Sequence, residues 1–397
     1  MKYTNRQLFL EHLAQTSDTP LMLEIEKADG VFMFDRDGKA YIDLISGIGV
    51  SGVGHRNPAV INAIKEQADK SLHLMVYGEF VQSPQVKLAK AISDTLPENL
   101  DTVYLLNSGS EAVEGALKLA KRYTGRPNLI SFHNAYHGSS HGALSVTGSE
   151  EFKRKFRPLL PGVSHIHYGA YSQLDQIDHN TAAVIIETVQ GEAGVIASCT
   201  NYLTQLRNRC SEVGALLIMD EIQTGFGRTG KFWGFEHFGI VPDILVSAKG
   251  MGGGMPIGAF ISSREIMGVL KNNPILGHIS TFGGHPVSAA ASLATLNFIK
   301  ANNLIEQVDR KAALFKEKLV HTAIKSIRNK GLLMAAVFES YDILKPVIDR
   351  AIELGVVTDW FLFCDYAMRI APPLIITEEE IDKACTIIMQ AIQDVVG

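Results

Sequence analysis

No apolar run in this sequence approaches the roughly 20 residues that a membrane-crossing helix needs. The opening stretch, MKYTNRQLFLEHLAQTSDTP, lacks a long apolar core and a cleavage site, so no secretory signal peptide is expected there. Cysteine is scarce: Cys199, Cys210, Cys364 and Cys385 fall in no CxxC or zinc-type spacing. A chain of 397 residues buries enough apolar surface to need no disulfide staples, so free thiols in a reducing cytoplasm are expected. A basic excess is missing too, and the net charge of −5 gives no electrostatic footprint for nucleic acid. Internal repeats and low-complexity tracts are absent. What remains, 46% hydrophobic and 20% charged, is the composition of a soluble globular protein, and the length predicts two domains.

Short apolar runs punctuate the chain: Val103–Leu106, Leu129–Phe132, Ala183–Ile186, Leu216–Met219, Ile244–Val246 and Ala259–Ile261. They alternate with helical or loop stretches, the pattern of an α/β protein with a parallel sheet. Residues 5–15 can form a short helix, and VFMFDRDGKAYIDL reads as a hairpin turning at Asp37-Gly38. Helical spacing recurs over 60–72, 84–96, 111–125 and 288–300, with Gly125 as a stop. Met334–Phe338 and Ala367–Ile370 read as strands, and the chain ends in a helix capped by Thr377 with Glu380 three residues on.

The stretch Ala215–Gly258 carries the strongest chemical signal. One buried run ends on Asp220, and just past the next sits Lys249, followed by GMGGGMPIG. Ligands of open α/β sheets sit at the carboxyl ends of strands, so this acid and this amine are expected to face one crevice. The pair suits pyridoxal phosphate (PLP), whose aldehyde a lysine holds as an imine while a carboxylate keeps the ring nitrogen protonated. A phosphate-loop lysine is a poorer reading, because the glycines follow Lys249 and no GxxxxGK[ST] is present. The glycines make more sense as room for a cofactor against the backbone. Earlier, Asn107-Ser108-Gly109-Ser110-Glu111 fits a capping box at Ser108 and Glu111, and also a helix terminus that takes an anion.

FHNAYHGSSHG admits three readings. His133, His137 and His141 are four apart, but Gly138, Ser139 and Ser140 interrupt any helix that would align them on a metal. Gly138–Gly142 matches GxSxG, which would make Ser140 the nucleophile of a serine hydrolase; polar and aromatic residues intervene where that motif needs a strand directly before it. Tyr136 is either a core tyrosine or an aromatic that stacks on a cofactor ring. Glu192 is either a solvated loop acid or a partner for a cation, and Arg369 before two prolines is either a surface residue or a carboxylate fork.

DEIQTGFGRTG (220–230) and SAKGMGGGMPIG (247–258) resemble the class III (ornithine/acetylornithine/4-aminobutyrate type) PLP-dependent aminotransferases. Further matches run from about Gly54 to Pro373. The resemblance implies a fold-type-I architecture, with residues 54–287 as a large PLP-binding domain on a mostly parallel sheet. It places 288–397 as a smaller α+β domain and 1–53 as a segment packing with it. It makes Lys249 the covalent anchor and Asp220 the partner of the ring nitrogen. Gly109 and Ser110 then hold the phosphate, Tyr136 stacks on the ring, and Gln223 lies near the phenolic oxygen. Thr281, in HISTFGG, reaches the phosphate of the neighbouring subunit of a homodimer. Arg369 binds the substrate α-carboxylate, and Glu192 covers Arg369 when no such carboxylate is bound. No metal is implied. Two departures stand out: His137-Gly138-Ser139 replaces the frequent HGR, and Thr188 replaces the frequent proline. The implied reaction moves an amino group from an ω-amine donor (ornithine, lysine, a diamine or an ω-amino acid) to a 2-oxo acid, with 2-oxoglutarate expected, by ping-pong kinetics. An acetylornithine aminotransferase and a PLP-dependent aminomutase are the alternatives within the same chemistry.

Overall fold

The computed structural model of the chain describes residues 3–397. A seven-stranded sheet lies at its centre, in the order Thr102–Leu106, Gly258–Ser262, Ile244–Ser247, Leu216–Asp220, Thr181–Glu187, Asn128–Phe132, Val163–Ile166. Every residue of Thr181–Glu187, Leu216–Asp220, Ile244–Ser247 and Gly258–Ser262 is buried. Both faces of the sheet are therefore covered, which is why these strands read as unbroken apolar runs. Alternate side chains serve opposite layers. Leu216 and Ile218 pack with Val113, Ala116 and Leu117 of the helix Gly109–Thr124. Leu217 and Met219 share a core with Leu203 and Leu206 of the helix Thr200–Val213. The first of these helices stops at Gly125, whose φ of +69° is a left-handed cap.

The sheet is mostly parallel, as expected, with one antiparallel strand and one strand that the sequence did not show. The strand expected at Ala259–Ile261 exists, but it runs antiparallel to both neighbours. Its connection from Ile244–Ser247, residues 248–257, contains only the 3₁₀ turn Lys249–Gly252. A parallel crossover needs about a dozen residues or more, usually a helix, so the chain doubles back instead. The strand Val163–Ile166 was not foreseen, because it is an edge strand whose residues are mostly only partly buried and include Ser164 and His165.

A second, antiparallel sheet joins Ser326–Lys330, Leu333–Val337, Cys364–Ile370 and Trp360–Phe361. The helix Tyr341–Leu354 backs it and packs on the last helix, Glu378–Val396. Thr377 caps that last helix with Glu380 in the expected reciprocal box. The Asp37-Gly38 hairpin forms between Phe32–Asp35 and Ala40–Asp43, and Val356–Val357 adds to it in parallel. The first helix, Asn5–His12, ends earlier than residue 15. Among the described residues no helix is long and apolar enough to cross a membrane.

The loop after Leu216–Asp220 is pinned by a buried acid. Glu221 Oε1 accepts from Thr188 Oγ1 (2.6 Å) and the Phe235 N–H (2.7 Å), and Oε2 accepts from Thr224 Oγ1 (2.5 Å) and the Gly234 N–H (2.8 Å). Burial pushes its carboxyl up to about 7, against the pull of those four donors. A protonated carboxyl can still accept both N–H groups while turning its proton to a threonine, whereas an amide nitrogen cannot accept at all. Glu221→Gln should therefore orphan one buried N–H and destabilise the protein by roughly 1–3 kcal/mol. A thermal unfolding midpoint equal to the parent's would show that the clamp contributes nothing.

Candidate active site

The parallel strands deliver their carboxyl ends to one edge of the central sheet, and a cavity of about 430 Å³ opens there. That volume lies within the usual range for small-molecule sites. Gly109, Tyr136, Glu187, Asp220, Gln223 and Lys249 all line it, from the ends of five strands and the turns that follow them.

At one wall the helix Gly109–Thr124 begins. Ser108 Oγ takes the Glu111 N–H (3.2 Å), as half of the expected box. The other half differs: the Glu111 carboxylate turns to the backbone N–H (2.9 Å) and side-chain amide (2.8 Å) of Asn107, not to Ser108. The Ala112 N–H goes to the Ser108 carbonyl. The first-turn N–H groups of Gly109 and Ser110 are thus the ones left without an intrahelical acceptor. Gly138 keeps this corner open. Its φ is +127°, and a Cβ there would lie 2.1 Å from Ser110 Oγ.

Asp220 sits at the end of its strand, 4% exposed. Its Oδ2 accepts from His137 Nδ1 at 2.7 Å and its Oδ1 from the Ile222 N–H at 3.0 Å. His137, which the sequence offered in a metal stripe and in the His137-Gly138-Ser139 departure but not as a site residue, is the buried partner of Asp220. Glu187 ends the neighbouring strand in register with Asp220. Burial, and then the charge of Asp220, push its carboxyl well above the ordinary range. It accepts the backbone N–H groups of Tyr136 and Gly191, both at 2.9 Å, and so ties the two loops together.

Lys249 follows the strand Ile244–Ser247 with a φ of +48°, a left-handed conformation that a side chain adopts at a cost of roughly 1–2 kcal/mol. Burial pulls its ammonium pKa below the ordinary lysine value, although Glu192 and Asp220 pull the other way. The glycine run after it only partly serves the cavity. Gly254 lines it, but Gly253 makes room for helix Pro286–Ala301, since a Cβ there would lie 2.0 Å from Thr295 Oγ1.

Beside the cavity, Glu192 and Arg369 form a bidentate pair at 3.1 and 3.0 Å, each 2% exposed. Gln223 Nε2 (2.9 Å) and the Leu362 N–H (3.1 Å) also donate to Glu192. Burial raises its carboxyl, but Arg369 outweighs burial and holds it down at about 2. Arg369 has a second acid: Nε donates to Asp359 Oδ1 at 2.8 Å. Asp359 was not singled out from the sequence, because its partner lies on the next strand.

Thr281 is exposed and lies outside this cavity, though Ser280 beside it accepts from Asn107 Nδ2 (3.0 Å). Ser140 donates to Glu114 Oε1 (2.6 Å), and the preceding strand ends at Phe132, so no strand leads directly into it as a nucleophile elbow needs. Among the described residues no group of His, Cys, Asp and Glu could hold a metal ion.

The set fits PLP. Unclaimed N–H groups at a helix terminus suit a phosphate, Asp220 backed by His137 suits a pyridinium nitrogen, and a lysine amine of lowered pKa suits an aldehyde. The profile described as Aminotransferase class-III matches residues 13–392. The acetylornithine aminotransferase of Caldanaerobacter subterraneus subsp. tengcongensis is 38% identical over 388 residues, covering 95% of each chain. The putrescine aminotransferase of Pectobacterium atrosepticum is 40% identical over 381 residues, covering 91% of this chain and 80% of its own. The solved ornithine aminotransferase of Toxoplasma gondii superposes with a TM-score of 0.90 at 30% identity, covering 98% of this chain and 93% of its own.

Because its ammonium pKa is depressed, the Lys249 amine should become neutral at a lower pH than other lysines. Reductive methylation of cofactor-free protein should label Lys249 with a pH midpoint below the ordinary value of about 10.4. Peptide mapping that found the same midpoint for Lys249 as for surface lysines would refute this.

Proposed function

This chain belongs to the class-III aminotransferases, PLP-dependent enzymes of the fold-type-I architecture, and on that premise we propose that it moves an amino group from an ω-amine donor to a 2-oxo acid, with 2-oxoglutarate as the acceptor. The observation that carries the reading is the meeting of Lys249, Asp220 and the Gly109–Ser110 helix terminus in one cavity beside a closed Glu192–Arg369 pair.

In this reading Gly109 and Ser110 bind the cofactor phosphate, Lys249 anchors the cofactor covalently through Nζ, and Tyr136 packs on its ring. When bound, PLP supplies an electron sink that acidifies the carbon bearing the donor's amine. Asp220, fixed by His137, would keep the ring nitrogen of the bound cofactor protonated. Gln223 orients the phenolic edge. Lys249 Nζ would be the group that takes the proton from the donor carbon and gives one back. Its lowered pKa makes the amine available as a base at a lower pH than an ordinary lysine. Arg369 grips the α-carboxylate of the oxo acid in the second half-reaction, after Glu192 leaves its Nη edge.

Donor class follows from charge. Lys249 is the one lysine or arginine lining the cavity among the described residues, and this reading commits it to the cofactor, so no further lysine or arginine lines the cavity for an acidic distal group of the donor. Ser139 stands where an arginine would anchor an acidic distal group, and it is 3.3 Å from the Tyr136 hydroxyl. This supports ornithine, lysine, a diamine or an ω-amino acid over N-acetylornithine. A homodimer with Thr281 completing the partner's site belongs to the same proposal. Exposed Leu72, Phe80, Val81, Ile279 and Phe282 support it, with the His73 ring tilted against Phe282 at 4.8 Å joining the two segments. So does the domain scheme, in which residues 54–287 bind the cofactor and 1–53 packs with 288–397; the pairing of Val356–Val357 with Ala40–Asp43 supports that attachment. A cytoplasmic location accompanies the proposal.

Lys249→Ala should lose borohydride-trapped cofactor and nearly all turnover. Thr281→Glu should be inactive alone as well, yet mixed dimers of the two variants should regain activity, since one site then has both residues intact. A reduced adduct mapped to another lysine, or subunit exchange without recovery, would contradict the assignment. Glu192→Gln should weaken the ω-amine half-reaction and spare or improve the half-reaction with L-glutamate. Stopped-flow traces with both half-reactions equally impaired would count against the exchange of carboxylates on Arg369.

A further inference from the structure

An exchange of carboxylates on a buried arginine needs one acid to leave and one to arrive. Arg369 has another acid that takes part in neither event. Its five N–H groups divide into an Nε edge and an Nη edge. The Nη edge holds Glu192 at 3.1 and 3.0 Å, and Nη2 also reaches the Trp360 carbonyl at 3.3 Å. The Nε edge is bonded to Asp359 Oδ1 at 2.8 Å. The Phe361 ring lies against the guanidinium, 4.4 Å from its centroid. Bonds to the next strand fix this segment in turn: the Asp359 carbonyl accepts the Arg369 N–H at 2.8 Å, and the hydroxyl of neighbouring Thr358 donates to the Arg369 carbonyl at 2.6 Å. Asp359 is therefore part of the frame on which Arg369 is mounted, while Glu192 sits on a loop.

We propose that Asp359 is a positioning residue that keeps Arg369 charge-compensated throughout the exchange and thereby sets how tightly a substrate carboxylate is held. The inference rests on the reading of Arg369 as the carboxylate site. A guanidinium stripped of its only acid in a buried place is costly, and that cost would keep Glu192 in place. With Asp359 on the Nε edge, Arg369 is never stripped, so Glu192 can leave. The same carboxylate subtracts from the positive field that draws the incoming oxo acid, so binding is weaker than an uncompensated arginine would give. Weak holding suits a site that must release a carboxylate in every catalytic cycle.

Asp359→Asn tests this, because the amide oxygen can keep the bond from Nε while the charge is removed. The readout is calorimetric binding of glutarate, an unreactive dicarboxylate, to the holoenzyme, together with single-turnover saturation by 2-oxoglutarate. In a Glu192→Gln background, where no protein carboxylate competes, adding Asp359→Asn should tighten glutarate roughly three- to tenfold. The Asp359 side chain is 26% exposed, so water screens the effect and keeps it in that range. With Glu192 present the gain should be smaller, since Glu192 is itself held more tightly. The concentration of 2-oxoglutarate at half-saturation should fall in the double variant without a rise in the limiting rate. A merely structural role would loosen glutarate in every background, and that result, or no change at all, would overturn the proposal. If Asp359→Asn does not fold, Asp359→Ser removes the same charge and is read the same way. Arg369→Ala separates the two levels: unchanged glutarate binding there would sink the carboxylate-site reading and Asp359 with it, whereas lost binding there with no effect of Asp359→Asn would sink the role of Asp359 alone.

Discussion

Four carboxylates, Glu187, Glu192, Asp220 and Glu221, are buried at or beside the carboxyl edge of the central sheet, and the rest of the site is arranged around keeping them there. An ionised carboxylate loses several kcal/mol of hydration on burial unless donors or a cation replace the water. Each acid solves this differently. Glu221 collects four donors and becomes a clamp. Glu192 takes a guanidinium and stays ionised. Asp220 takes an imidazole and one N–H. Glu187 has only two N–H groups and a neighbouring acid, so its carboxyl is driven toward the neutral form. Different roles in one small volume follow from how many donors each acid can reach.

This arrangement also accounts for a departure from the family pattern. A proline after Glu187 could not donate a hydrogen bond, but Thr188 gives its hydroxyl to Glu221 Oε1. The substitution links the end of one strand to the loop leaving the next. It lies directly between Glu187, which holds the loops of Tyr136 and Gly191, and Glu221, which holds residues 234 and 235. The loops that shape the cavity are thus fixed by acids that need not contact substrate at all.

The central strands were legible in the sequence because complete burial leaves an unambiguous apolar run. Their direction was not: Gly258–Ser262 is as buried when antiparallel as it would be when parallel, and only the short glycine-rich connection from Ser247 decides the matter. The edge strand Val163–Ile166 was hidden for the opposite reason, since an edge needs few apolar residues. Among the candidate site residues, Lys249, Asp220, Tyr136, Gly109 and Gln223 could be singled out from motifs with fixed local spacing, and the structure brings them to one cavity. His137 and Asp359 could not be paired from spacing. Asp220 lies far along the chain from His137, and Asp359 meets Arg369 only because one strand folds back on the other. Side-chain partners across strands are set by register, which local sequence does not encode.

Strain at Lys249 shows how the two layers of this edge cooperate. A left-handed lysine is unfavourable by itself, and nothing in its own side chain repays the cost. The turn persists because both flanks are rigid: Ile244–Ser247 is paired on both sides, and Gly253 is seated against Thr295 of the helix Pro286–Ala301. The Met251 N–H closes onto the Ala248 carbonyl, which fixes the residues between. A lysine in a relaxed loop would lose several rotatable bonds' worth of entropy each time its amine entered the cavity. Here that ordering is completed during folding, by packing that lies behind the turn and away from the chemistry.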